Sequence, residues 1–223
     1  MYNTNKINTI LFDMDGTVLA SEDIFGASER RLLQSYGINV DLEALIEFRG
    51  LSIEEFYPRF IKKFALDDSI DAVQKKLQTM LYQSFSEDLE YIPGFINFYN
   101  NIITPHAIKT ALVTNTSLEL VNHIRKSIDL DQFFSVYITA SDVSSPKPSG
   151  IPYIQAMGKL DSTPDATIVI EDSTSGIKSG LNAGCEVVAL TTTMPANQIQ
   201  KISDRVIIYD SYEEIKNFLQ GRV

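Results

Sequence analysis

The stretch that most constrains this chain is Thr9-Ile10-Leu11-Phe12-Asp13-Met14-Asp15-Gly16-Thr17. A short apolar run bounded by turn residues reads as a strand buried on both faces, here about Ile7 to Asp13. Two carboxylates follow one residue apart, and Gly16 breaks the strand at once. Open α/β sheets place their sites at the carboxyl ends of strands, so Asp13 is expected at the strand tip and Asp15 just beyond it on a turn. Two carboxylates so close repel each other, and a bound cation or a proton kept on one of them removes that cost. Asp is also common wherever a strand ends, so the pair alone does not separate a turn from chemistry.

The remaining pattern says what kind of sheet receives this strand. From about Ser21 to Asp88 the texture is helical: Glu22 to Tyr36, Asp41 to Phe48, a helix begun by Ser52-Ile53-Glu54-Glu55, and a long one from about Ser69 to Phe85. From Tyr91 onward strands and helices alternate. Strands are expected at Ala107–Thr114, Phe134–Ala140, Ala166–Ile170, Glu186–Leu190 and Arg205–Tyr209, with helices between and after them. Such alternation calls for a mostly parallel sheet with helices on both faces, an α/β fold. The first strand has to join that sheet to satisfy its backbone, which makes the helical block an insertion. The expected division is an α/β core of residues 1–18 and 91–223 and an all-helical cap of residues 19–90. The two crossings, near Val18–Ser21 and Glu90–Pro93, are expected close together, as a hinge requires.

Three later strands also end in polar groups. Thr114 and Asn115 precede a helix start near Ser117 and could form a phosphate cradle, unless Asn115 or Thr116 merely caps that helix. Lys147 stands between Pro146 and Pro148, which restrict the backbone around it. Glu171 and Asp172 close an apolar strand, a costly place for adjacent acids unless a cation is near. Carboxylates, hydroxyl, amide and lysine at four strand ends suit phosphoryl transfer: Mg²⁺ favours oxygen-rich sites, and a carboxylate can act as nucleophile. A second acid supplies general acid–base catalysis worth about 10²–10⁴-fold. The larger share of the rate has to come from alignment and cationic stabilisation.

Composition narrows the partners. The formal net charge of −10 over 223 residues argues against nucleic-acid binding and against docking on anionic membranes. No apolar run approaches a bilayer-spanning length, and Met1 to Asn8 is polar. The single cysteine, Cys185, rules out an internal disulfide, fits a reducing compartment, and reads as a small buried residue. The expected location is cytoplasmic. The only histidines, His106 and His123, are too few for a His-rich zinc site and read as surface or loop residues.

With these motifs in order, the chain resembles the haloacid dehalogenase (HAD) superfamily, in particular its members with a helical cap after the first motif. The resemblance rests on Asp13-Met14-Asp15-Gly16-Thr17, Thr114-Asn115, Lys147-Pro148, and Glu171-Asp172-Ser173 with Gly176-Ile177 and Ala183-Gly184. It implies a Rossmann-like sheet of five or six strands with the first strand at its centre, that Asp13 is nucleophile and metal ligand, and that Asp15 is acid/base and offers Mg²⁺ its backbone carbonyl. It further implies that Thr114 and Lys147 hold the phosphoryl group and that Asp172, with Glu171, completes the metal shell. Asp15 points to a phosphatase or phosphomutase rather than a dehalogenase.

The sequence also departs from the family pattern. Ala20 replaces a usual Asp, and Phe25 stands where β-phosphoglucomutase-like members carry His, which weakens a mutase reading. Gly150 stands where many relatives have Pro, an exchange expected to loosen the loop after Lys147. Phe48-Arg49-Gly50 resembles the cap segment that faces substrate, so Arg49 is a candidate, with Asn115, for substrate binding. The expected activity is Mg²⁺-dependent hydrolysis of a small-molecule phosphomonoester through a phosphoaspartate. The alternatives are a sugar phosphomutase and a catalytically idle binding or regulatory member.

Overall fold

The computed structural model describes residues 6–48, 51, 53–87 and 89–223. Strand β1 (Thr9–Phe12) is buried along its whole length. It is placed so because six parallel strands form one sheet in the order β3-β2-β1-β4-β5-β6, with β1 paired on both edges. The others are β2 (Lys109–Val113), β3 (Tyr137–Ile138), β4 (Thr167–Glu171), β5 (Glu186–Leu190) and β6 (Ile207–Tyr209). Side chains alternate across the sheet, so Ile10 and Phe12 enter one core layer while Leu11 enters the other. Phe12 meets the rings of Phe95, Phe98 and Phe134 edge-on at 5.8, 6.3 and 5.6 Å, pinning the strand from that side.

The chain builds outward from β1 through β2 and β3, then returns to β4 on its other edge. That reversal leaves a crevice at the carboxyl ends of β1, β2 and β4, the usual ligand position in such sheets. Phe12 is level with Leu112 and Ile170, so the next residues of all three strands meet there.

Between β1 and β2 lie α1 (Glu22–Ser35), a 3₁₀ segment (Leu42–Phe48), α2 (Ile53–Phe64), α3 (Ile70–Glu87) and short α4 (Phe95–Phe98), with no named strand among the described residues. Helix α2 carries Glu54 and Glu55 in its first turn and Lys62 and Lys63 in its last, matching the helix dipole. Its Phe56, Phe60 and Phe64, spaced by four, form one aromatic face over Phe48. The two crossings meet as expected: Ala20 N–H donates to Glu90 O at 2.9 Å and Ile92 N–H to Val18 O at 2.9 Å.

The later helices are α5 (Leu118–Ser127), α6 (Ile151–Leu160), α7 (Thr174–Asn182), α8 (Ala196–Ile199) and α9 (Tyr212–Leu219). Strand β3 is much shorter than the expected Phe134–Ala140. Phe134 is drawn into the aromatic layer, and Thr139 caps a 3₁₀ turn in reciprocal bonds with Asp142. His123 is a correction too: it lies half-buried in α5, stacked on Tyr82 at 4.3 Å, while His106 is exposed.

Candidate active site

Asp13 leaves β1 with its N–H still bonded to Ile170 O at 3.0 Å, so the sheet fixes its backbone and its 7 % exposed side chain enters the crevice. Beyond it the chain turns at Gly16, where φ is +77° and a Cβ would overlap the Asp172 carboxylate. Thr192 donates to Gly16 O at 2.6 Å and Tyr212 to Thr17 O at 2.9 Å, anchoring the turn. Asp15 sits inside a ring of hydroxyls: Ser21 donates to Oδ1 at 2.6 Å, Thr116 and Thr114 to Oδ2 at 2.8 and 3.3 Å.

Lys147 arrives from the loop before α6, almost wholly buried. Its Nζ donates to Asp13 Oδ1 at 2.5 Å, Glu171 Oε1 at 2.6 Å and Val113 O at 2.8 Å. Asn115 holds the lysine's backbone, accepting from its N–H at 3.0 Å and donating to its carbonyl at 3.1 Å. The expected loosening at Gly150 is not found. A Cβ there would lie 2.8 Å from the backbone of Asn182 and Ala183, so glycine lets the loop press against α7, and Asn182 ties Pro148 O at 2.9 Å. The cap of α5 is Ser117, which accepts from Leu120 N–H, so neither Asn115 nor Thr116 caps it.

Glu171 and Asp172 divide their duties. Glu171 Oε1 accepts from Lys147 and, at 2.9 Å, from Tyr153; Oε2 accepts from Asp172 N–H, Ser173 N–H and Ser173 Oγ at 3.0, 3.2 and 3.1 Å. A Cβ at Gly176 would overlap this carboxylate, so the glycine makes room for it. Asp172 instead faces the Gly16 turn, bonded by Thr193 on Oδ2 and by Thr17 on Oδ1 at 3.3 Å.

Asp13, Glu171 and Asp172 each offer an oxygen within 4.8 Å of the others, all buried. Asp15 lies near enough that its charge acts on Asp13 and the Lys147 charge acts on it. Burial, and after it the Glu171 charge, push the Asp13 carboxyl well above its ordinary range, Lys147 only partly opposing them. Asp15 is also raised, by burial against the pull of its hydroxyl donors. Burial lowers the Lys147 ammonium, but Asp13 and Glu171 outweigh that and hold it above its ordinary range. An all-oxygen cluster with surplus negative charge fits a hard divalent cation, with Asp13 and Asp172 better disposed to ligate than the fully bonded Glu171. The Asp15 side chain points away from this cluster, toward its hydroxyls.

Above the acids opens a cavity of about 580 Å³, walled on its far side by the helices after β1. Phe25 and Tyr57 line it, whereas Arg59 pairs with Glu55 at 3.3 Å and Lys63 with Glu47, outside it. Arg49 lies outside the described residues. Sequence reading missed Ser21, Thr116, Tyr153 and Thr193. The first two follow recognised motif residues closely enough to have been suspected, but Tyr153 and Thr193 give no local signal.

The haloacid dehalogenase-like hydrolase family model matches residues 10–190. The chain is 28% identical over 181 residues to a phosphorylated carbohydrates phosphatase of Thermotoga maritima, covering 81% of this chain and 83% of that one. It is 27% identical over 220 residues to the pyrophosphatase PpaX of Bacillus anthracis, covering 91% and 96%. In three dimensions it resembles a HAD family hydrolase from Deinococcus radiodurans R1 solved with bound phosphate and sodium, at a TM-score of 0.80 and 20% identity, covering 97% and 96%. This chain belongs to the haloacid dehalogenase-like hydrolase family.

Proposed function

We propose that this chain is a Mg²⁺-dependent phosphatase that hydrolyses a small-molecule phosphomonoester through a phosphoaspartate on Asp13. The observation that carries the reading is the buried contact of Lys147 Nζ with Asp13 Oδ1 at 2.5 Å, at the floor of a cavity that also admits Asp15. The matching relative named as a phosphatase of phosphorylated carbohydrates supports the same class.

Lys147 holds Oδ1, leaving Asp13 Oδ2 to attack phosphorus while the ester P–O bond breaks. Asp15, its carboxyl raised by burial, gives its proton to the leaving alcohol oxygen. Water then attacks the same phosphorus and passes its proton to Asp15, and the bond to Asp13 breaks to release inorganic phosphate. Thr114 and the Lys147 ammonium face the transferring oxygens. Asp13 and Asp172 side chains, with the Asp15 carbonyl, would hold Mg²⁺, which neutralises the acids and draws charge from the phosphoryl oxygens.

We read residues 19–90 as a cap on a core of 1–18 and 91–223, excluding bulk water from the site. Phe25 puts a phenyl ring, which cannot carry a proton as an imidazole can, in the cavity lining, and that favours hydrolysis over a mutase. A cytoplasmic location suits the lone Cys185, whose thiol burial pushes up to about 12.

The test is phosphate release from a panel of esters, with Mg²⁺ and after chelation. Release that depends on added Mg²⁺ is expected; an inert panel would refute the assignment. Asp15→Asn should cost about 10²–10⁴-fold in kcat/KM on alkyl phosphates and far less on p-nitrophenyl phosphate, whose leaving group needs no proton, because kcat/KM ends at phosphoaspartate formation and does not include the later water step that also uses Asp15. Equal losses on both would remove Asp15 from the acid role.

A further inference from the structure

The far wall of the cavity says what kind of alcohol the ester carries. Phe48, Phe56, Leu77 and Leu81 present rings and branched chains from the helices, and Phe25 and Met194 add to them nearer the acids. Set among these is Glu29, 5 % exposed, close enough to Tyr57 that its charge, after burial, helps push that phenol up to about 12. Gln74 and Gln78 also line the wall, half-buried, and Gln78 donates to Tyr82 OH at 2.8 Å. The cations among the described lining residues are Lys147, committed to Asp13 and Glu171, and Lys178, exposed on α7 at the rim.

Among the described lining residues of that wall, a second phosphate or a carboxylate on the substrate would meet hydrocarbon, amides and an acid. A flat apolar group would instead pack on the rings, and N–H or O–H groups would find acceptors in Glu29 and the glutamines. The volume of about 580 Å³ lies within the ~300–1,000 Å³ of drug-sized ligand sites and exceeds what a two-carbon acid fills. We propose that the cavity takes the monophosphate of an uncharged, ring-bearing, hydrogen-bond-donating alcohol of nucleoside size, rather than an ester whose alcohol carries a second anion. This rests on the phosphatase reading and narrows it.

The test compares kcat/KM of the Mg²⁺-supplied enzyme on adenosine 5′-monophosphate with inorganic pyrophosphate, phosphoglycolate and a hexose bisphosphate. The nucleotide is expected to lead by about 10-fold or more, a gap worth roughly 1.4 kcal/mol. Glu29→Gln and, independently, Gln78→Leu should each raise KM for the nucleotide several-fold with kcat little changed, and should narrow its lead over p-nitrophenyl phosphate. Two variants guard against one failing to fold. Preference for the doubly anionic compounds, lost in Arg49→Ala, would overturn this proposal and leave the phosphatase reading intact. A nucleotide preference indifferent to both variants would remove the wall from specificity. Hydrolysis of p-nitrophenyl phosphate but of none of these compounds would overturn this proposal alone, whereas release from no ester at all would bring down the phosphatase reading and this one with it.

Discussion

Asp13→Asn should bring ester hydrolysis to background, a loss on the order of 10⁵–10⁶-fold, the scale seen when a covalent nucleophile is removed. An amide in the same place cannot accept the phosphoryl group, although its size and its contact with the sheet are unchanged. The variant should nonetheless fold. Asp13 is the acid whose charge is most opposed by burial and by Glu171, so exchanging it for a neutral amide removes repulsion while Lys147 keeps Glu171 as partner at 2.6 Å. The metal-free variant should therefore unfold at a temperature no lower than the parent. Inactivity with a preserved or raised Tm is the expected pair of results. Turnover within about 100-fold of the parent would end the nucleophile assignment, and a collapsed Tm would mean that the loss of activity reports misfolding.

The sequence made the first strand legible because burial on both faces leaves a continuous apolar run, and a mostly parallel sheet then followed from strand–helix alternation. Lys147 was legible for a different reason: two flanking prolines mark a lysine whose backbone is constrained. The division between Glu171 and Asp172 was less visible, yet the alternation of strand side chains contains it. Asp13 lies two residues after Leu11 and Glu171 two after Val169, and Leu11 and Val169 share one layer of the core. Asp13 and Glu171 therefore emerge on the same side and share one ammonium. Nothing comparable marks Tyr153 or Thr193, which reach Glu171 and Asp172 across 18 and 21 residues of chain through helix and loop packing. The shortness of β3 was equally hidden, since Phe134 fits a strand by propensity and is taken instead by its neighbours' rings.

Lys147→Ala should fail in both activity and stability, and the way stability fails identifies what the lysine does. Removing the ammonium leaves Asp13 and Glu171 buried without their cation, a change that typically costs about 3–5 kcal/mol. That cost should depend on pH. Lys147 is held above its ordinary pKa in the parent, so it stays protonated throughout the acid and neutral range and contributes a constant share there. Asp13 is already raised above its unfolded value, and without the lysine it rises further. A group raised in the folded state is favoured by protons, so the variant's deficit is full above its own Asp13 pKa and shrinks as pH falls through that value to the lower, already raised one of the parent. Urea unfolding of metal-free parent and variant in steps from pH 9 to pH 5 should show the gap narrowing as the pH falls. A small gap, or one independent of pH, would mean that the ammonium does not balance these acids. Near-parental kcat/KM in Lys147→Ala would separately remove it from phosphoryl transfer.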